Sequence, residues 1–438
     1  MINTILPCEI NSLDAVLLLN LFFDHSERCI TNQIDDDLSD LSRHWLIREN
    51  PDTSLNNLKC GNSEKVKREL LFMFESQSIK NVLIVDLSSV DSFQYILNMS
   101  NQFKDKCHFL SSASIIINTK ALSKADVVTR LTSQLLVGES SNLSSTGQTY
   151  IRSGCVHCVL SYMPNLTQLL SIEDNFKLEC CCEVQAAVRL KQPQCDSPLV
   201  VISAASTSVQ HCNHILNVLS QHQADFSKIL LNQVVISYDN LDAYEGMLSA
   251  FPSFCLCIDS FTYQAAFPSG YLDPDATSDY DCNGGQWKSY PSDGELLDCV
   301  KYLCLKGYSS RLCLSLNIRT KLQLRQYGGP GYSFFTHQLI HQLTARKTFY
   351  SPSLMLPKLG PDLSSGAFTS EEVDALVRGT MLRLLAWYRP PPLAELPKET
   401  LTCHICAAVF EPGNHYSKFG LEYCSSACLA VHRKRGFK

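Results

Sequence analysis

No apolar run in this sequence approaches the roughly 20 residues that a membrane-spanning helix requires. The opening stretch, MINTILPCEINSLDAV, lacks the charged-then-apolar pattern of a secretory signal. Basic charge is not in excess either. The formal net charge is −6 and both signs are mixed throughout, which excludes the positive field that bulk nucleic-acid binding needs. A G-x-S-x-G elbow, a P-loop and a dinucleotide fingerprint are all missing, and with them three common catalytic designs. We find no internal repeat and no low-complexity tract.

Cysteine, by contrast, is abundant: 21 residues, an odd number. Members of the run Cys180-Cys181-Cys182 cannot bridge to one another without strain. With no secretion signal, we expect reduced thiols in a cytoplasmic or nuclear chain. Most of them should serve as small buried apolar side chains.

Short apolar runs alternate with helical patterns. Strands are predicted over Ala15 to Phe23, Asn81 to Leu87, Ala113 to Asn118, Cys155 to Leu160, Leu199 to Ser203, Gln233 to Ser237, Phe254 to Ile258 and Arg311 to Leu316. Being continuously apolar, they suit a parallel sheet covered by helices. Helices are predicted over Asp174 to Leu190, His211 to Gln223, Asp293 to Lys306 and Ser370 to Tyr388, the last with an N-cap at Thr369. The pattern fits an α/β fold, a (β/α)₈ TIM-type barrel, with a doubly wound open sheet as the alternative. Loops are expected at Ser140 to Gln148 and Phe267 to Ser289. A stiff Pro-rich spacer (RPPPLAELPK) starts at Arg389. The domain reading is therefore a barrel over 1–388, a linker over 389–400 and a small domain over 401–438.

The tail supplies the strongest motif. Cys403 and Cys406 are spaced C-x₂-C, and Cys424 and Cys428 are spaced C-x₃-C. Four thiolates can converge on one structural Zn²⁺. The segment is too short to bury a core of its own, so the metal would supply the missing stability. His432 lies one helical turn beyond Cys428 and is a substitute ligand on spacing alone. The pattern resembles treble-clef fingers of the MYND and HIT kind, with one zinc site only. Arg433, Lys434, Arg435 and Lys438 make the end basic, which keeps a nucleic-acid role for the finger as an alternative to protein contact.

Asn317-Ile318-Arg319-Thr320-Lys321 and Tyr327-Gly328-Gly329-Pro330-Gly331-Tyr332-Ser333 carry a further resemblance. They are similar to the stretch H-D-I-x-T-K…Y-G-G-x-G-Y-S of the phosphotriesterase family of the amidohydrolase superfamily. Asn3 to Leu6, Ile151 to Gly154, Ser227 to Asp239 and Thr369 to Leu385 resemble other family stretches, in the same order. The resemblance implies a TIM barrel with its pocket at the C-terminal strand ends. It also implies a binuclear metal centre that activates water. Local matching puts the family's ligand positions on Asn20 and Phe22, near Cys158, and on Ser203, Tyr238 and Asn317. None keeps a family ligand: Phe offers no lone pair and Asn is a poor ligand without carboxylates. His25, His211 and His214 are read as loop and solvent-facing helix residues, and Asp239 and Asp259 as polar strand ends.

The expectation is thus a pseudoenzyme, catalytically dead, without barrel metals, that binds or scaffolds a protein partner through its finger, with room for a small-molecule ligand in the barrel mouth. The alternative is a hydrolase of ester or amide bonds with a rebuilt site around Cys158, Ser203, Tyr238 and Asp259.

Overall fold

The computed structural model describes residues 13–19, 21, 60, 63–75, 81–88, 93–104, 106–115, 123–141, 149–161, 170–206, 208–267, 271–273, 286–345, 367–388, 401–406, 409–410, 416–418 and 421–434. The chain divides into two compact units, Met1–Tyr388 and Arg389–Lys438. The expected linker, 389–400, lies outside the described residues.

In the first unit eight parallel strands follow one another in chain order. They are β1 (Ala15–Leu19), β2 (Val82–Asp86), β3 (Cys107–Ser114), β4 (Cys155–Val159), β5 (Val200–Ser206), β6 (Ile229–Val234), β7 (Cys255–Ile258) and β8 (Leu312–Leu314). Between them run α1 (Ser63–Met73), α2 (Phe93–Gln102), α3 (Lys124–Leu136), α4 (Ile172–Lys191), α5 (Val209–Gln221), α6 (Leu241–Ala250) and α7 (Asp293–Leu305). α8 (Ile340–Ala345) follows β8, entered through a π-helical turn. Strict β–α alternation with consecutive parallel pairing is the (β/α)₈ barrel, which replaces the open-sheet alternative. Strands such as Val82–Asp86 are buried along their whole length, as a sheet wrapped by helices requires.

The barrel is nearly closed. Where β8 returns to β1, one hydroxyl replaces the ladder. Ser315 Oγ accepts from Leu18 N at 2.9 Å and donates to Leu18 O at 2.6 Å. Outside this seam lies a last helix, α9, which begins at Ser370–Asp374, passes through a π turn at Ala375–Gly379 and packs on both β1 and β8. Its Thr369 N-cap closes a box with Glu372, as the sequence predicts.

Two strands lie earlier than expected. β3 begins at Cys107 rather than Ala113, and β6 begins at Ile229 rather than Gln233. In β6 the run Ile229-Leu230-Leu231 forms the wall, and the chain leaves the sheet after Val234.

The second unit has two antiparallel pairs, β9 (Leu401–Thr402) with β10 (Val409–Phe410) and β11 (Tyr416–Lys418) with β12 (Leu421–Tyr423), then helix α10 (Ser426–Lys434).

Candidate functional site

The barrel's polar residues gather at the C-terminal strand ends. At the end of β2, Asp86 is buried, and one of its oxygens accepts from Leu21 N, Ser88 N and Ser88 Oγ at 3.1, 3.3 and 2.6 Å. From β4, His157 Nε2 lies 2.8 Å from Ser203 Oγ on β5, and that hydroxyl donates to Asn232 Oδ1 on β6 at 2.9 Å. Ser203 thus bridges His157 on β4 and Asn232 on β6. The Leu87 backbone carbonyl also acts on the ring and favours its protonated form. Burial lowers the His157 pKa to about 4, which keeps the ring neutral near pH 7.

At β7, burial raises Asp259 to about 7, against the pull of Arg319 and of the Gln233 backbone N–H. That N–H donates to Asp259 Oδ2 at 3.2 Å. Gln233 has φ +58° and Thr262 has φ +70°, so two non-glycine residues with left-handed backbone flank Asp259. Such strain concentrates at functional sites. Arg319 stacks over the Tyr263 ring at 4.8 Å, and Tyr263 packs with Phe267 and Tyr290 in a small aromatic cluster. Asn317 donates its backbone N–H to Asp259 O at 2.9 Å.

The sequence-derived positions fall out unevenly. Ser203 lies within β5 and Asn317 three residues past the end of β8; Asn20, Phe22 and His25 lie outside the described residues. Cys158 is a correction. It shares a thiol hydrogen bond with Cys181 on the covering helix α4, so it faces outward. Alternation then turns its neighbour His157 inward. Tyr238 is a second correction. It sits beyond the early end of β6, and its hydroxyl donates to Asp298 on α7 at 2.6 Å. Asn232, within β6, is the residue of that strand that meets Ser203. Asp239 is exposed in the same turn, whereas Asp259 is buried. His211 is buried on α5 rather than solvent-facing. Sequence reading gave Asn232 and Arg319 no site role and set His157 aside as a base for Cys158, because neighbours on a strand face opposite ways.

The glycine loop is a packing device. A Cβ on Gly329 would lie 2.3 Å from the Gln323 backbone, and one on Gly331, at φ +61°, would lie 2.4 Å from Glu69. Glu69 on α1 accepts from the backbone N–H of Arg325 and Gln326, each at 3.0 Å. The loop is thereby pinned to α1 with no anion needed to hold it.

In the second unit, the sulfurs of Cys403, Cys406, Cys424 and Cys428 all lie within 4.8 Å of one another. Cys406 to Cys424 is 3.5 Å and Cys424 to Cys428 is 3.8 Å. Tetrahedral ligands on Zn²⁺ would stand roughly 3.8 Å apart, given Zn–S bonds of about 2.3 Å. Backbone N–H groups, that of Cys406 first, lower the Cys403 thiol to about 6. The neighbouring thiols of Cys406 and Cys403 push Cys424 up to about 12. A divalent cation would relieve that crowding. His432 lies outside this set; its buried ring is held by the Tyr423 hydroxyl at 2.7 Å. Cys428 therefore completes the set, and the substitution of His432 for a thiolate is not needed.

Comparison with known proteins agrees with both units. Residues 119–349, just over half the chain, match the phosphotriesterase family, and residues 398–438 match the Vms1-associating treble clef domain. A Xenopus tropicalis protein named N-acetyltaurine hydrolase is 27% identical over 133 residues, 30% of this chain and 34% of that one. A Danio rerio protein of the same name is 32% identical over 56 residues, 13% of this chain and 16% of that one. The matches thus span about a third or less of these relatives. Among solved structures, a resiniferatoxin-binding protein from Rhodobacter sphaeroides superposes with TM-score 0.56 at 17% identity, covering 86% of this chain and 92% of that one. A lactonase from Listeria monocytogenes superposes with TM-score 0.54 at 11% identity, covering 87% and 97%. These likenesses show the fold.

Proposed function

Since the chain belongs to the phosphotriesterase family, we propose that it is a member whose barrel works without the family's pair of metal ions, as a binding or scaffolding protein of the cytoplasm or nucleus. The observation that supports this is the donor set. At the strand ends stand Ser203, Asn232 and Asn317, neutral oxygen and amide groups that bind zinc poorly. The ionisable groups there are engaged: Asp86 by three donors, His157 by Ser203, Asp259 by Gln233 and the nearby Arg319 cation. Among the described residues no three His, Cys, Asp or Glu converge in the barrel, and a binuclear site needs several such ligands. The residues present do not fit the metal pair, and we derive no step through it.

Zinc counting on the full chain tests the reading. One equivalent is expected, lost when Cys403 and Cys406 are both replaced by Ser. About two further equivalents, retained in that double variant, would sink it.

The tail is the contact module. The matched domain's name, Vms1-associating, makes Vms1 or a protein like it the partner we infer. A treble clef presents a short helix and hairpin on a rigid zinc-held base, which suits docking to a protein surface. Co-purification of Vms1 with the full chain, lost in the Cys403→Ser, Cys406→Ser variant, is the expected result. Retention of the partner by that variant would reject the tail as the contact.

A second reading, a hydrolase with a rebuilt site, draws on the relatives' printed name and on the 2.8 Å approach of His157 to Ser203. Its nucleophile would be Ser203, since Cys158 faces the helix layer. The Asn232 contact opposes it, because the Ser203 hydroxyl gives its proton to Asn232 Oδ1 rather than to a base. Turnover of N-acetyltaurine by the full chain that vanishes in Ser203→Ala would establish this reading; equal rates with buffer alone would remove it.

A further inference from the structure

Two atoms in the barrel mouth are conspicuous because they are buried and unused. Asp259 is 3% exposed and its Oδ1 has no hydrogen-bond partner among the described residues; Asn317 is 5% exposed and its Nδ2 has none either. Leaving a buried polar atom unpaired costs about 1–3 kcal/mol, so such groups in native chains are usually kept for a ligand or an ordered water.

The two residues end neighbouring strands, with Asn317 N bonded to Asp259 O at 2.9 Å. One offers a free acceptor and the other a free donor, and they do not satisfy each other. Asp259 Oδ2 is held by Gln233, and the Asn317 backbone N–H by Asp259 O. Charge is also accounted for, because the Arg319 guanidinium stands close enough to attract the Asp259 carboxylate. An incoming group therefore needs no charge of its own, only one donor and one acceptor to meet two residues whose backbones are hydrogen-bonded to each other. Gln233, at φ +58°, aims its backbone N–H at Asp259 Oδ2. The Tyr263, Phe267 and Tyr290 rings form an apolar wall beside Arg319.

We propose that Asp259 and Asn317 together bind the amide group of a small N-acyl compound, Asp259 Oδ1 accepting its N–H and Asn317 Nδ2 donating to its carbonyl. The inference rests on the reading of the barrel as a binding site without metal, and it names the ligand class of that site. A carboxamide matches the pair in both polarity and count. An ester matches only the Asn317 half, and a carboxylate would set its charge against Asp259. The alternative occupant, an ordered water, can also donate to one atom and accept from the other, and the test separates the two.

The probes are N-methylacetamide and methyl acetate, which share shape and differ in one N–H. Each is titrated against the full chain at pH 8 and followed by protein and ligand NMR. The amide should bind saturably and the ester at least about tenfold more weakly, the cost of one hydrogen bond to a charged acceptor. In Asp259→Asn the amide-over-ester preference should disappear. In Asn317→Asp both probes should lose affinity. Thermal melts confirm that each variant is folded, and the wild-type preference stands on its own if one is not. Equal binding of both probes by the wild type, or no binding of either, overturns the proposal and leaves the pair to water. Zinc is counted in the same samples. Absent binding with one zinc per chain refutes the amide site alone, whereas two extra zinc ions refute the metal-free barrel.

Discussion

Ser315 and Leu18 meet across the seam of the barrel, and a single hydroxyl satisfies both the N–H and the C=O of Leu18. Both residues are buried, Ser315 at 1% exposure and Leu18 at 3%. The side chain does there what a strand ladder does elsewhere in the sheet. Replacing Ser315 by Ala would strand two buried backbone groups at about 1–3 kcal/mol each. We expect a clear fall in thermal midpoint for Ser315→Ala and a much smaller one for Ser315→Thr, which keeps the hydroxyl. Equal midpoints for wild type and Ser315→Ala would show that the seam is held otherwise.

Glycine substitutions should divide sharply. Gly329→Ala drives a methyl to 2.3 Å from the Gln323 backbone, an overpacking that costs about 1–3 kcal/mol or more. Gly246, in α6, has nothing within 4 Å of its added Cβ. Gly246→Ala should stabilise by up to about 1 kcal/mol through helix propensity. Chemical denaturation of the two variants checks both signs; a destabilised Gly246→Ala would contradict the second.

The pH dependence of stability should carry two opposed contributions. His157, lowered to about 4 from 6.5, binds its proton more weakly when folded, so stability rises with pH between those values. Asp259, raised to about 7 from 3.8, binds its proton more tightly when folded, so stability falls with pH across that window. The two offset one another from about pH 4 to 6.5, and the Asp259 effect alone remains up to about 7. Asp259→Asn should unmask the rising His157 limb, and His157→Gln the falling Asp259 limb. Urea midpoints from pH 4 to 8 measure both; identical profiles for the two variants would refute the assignment.

The tail should depend on its metal. Chelation, or Cys424→Ser, should raise hydrogen exchange over β11, β12 and α10 while α4 and α5 keep their protection. With so few residues, the thiol cluster is the main source of stability there. Undiminished protection of α10 after chelation would mean the unit holds itself together without zinc.

Much of this architecture was legible in the chain itself. The apolar runs of β2, β4, β5 and β7 carry enough Val, Ile, Leu and Cys to mark them as strands buried on both faces, and the structure begins and ends them within a few residues of expectation. Strand β6 was harder. Ile229-Leu230-Leu231 and Val234-Val235-Ile236 are both apolar, and only the former pairs along β7. Tyr238 consequently lies beyond the end of β6, bonded to Asp298 on α7. The cysteine spacing of the tail was unambiguous because metal geometry acts over a few residues. Motifs far apart in sequence needed the fold to meet. Trp387 Nε1 donates to Gly154 O at 2.7 Å and Arg152 lies over the Tyr388 ring at 4.8 Å, joining the closing helix to the start of β4.

What the sequence determined alone, then, was local: strand and helix character and the thiol set of the finger. Tertiary structure decided facing and pairing. Neighbouring residues on a strand point to opposite sides, and a register error of one residue exchanges inside for outside. Only the fold could turn Cys158 to Cys181 and His157 to Ser203, and hydrogen-bond the backbone of Asn317 to that of Asp259, more than fifty residues away.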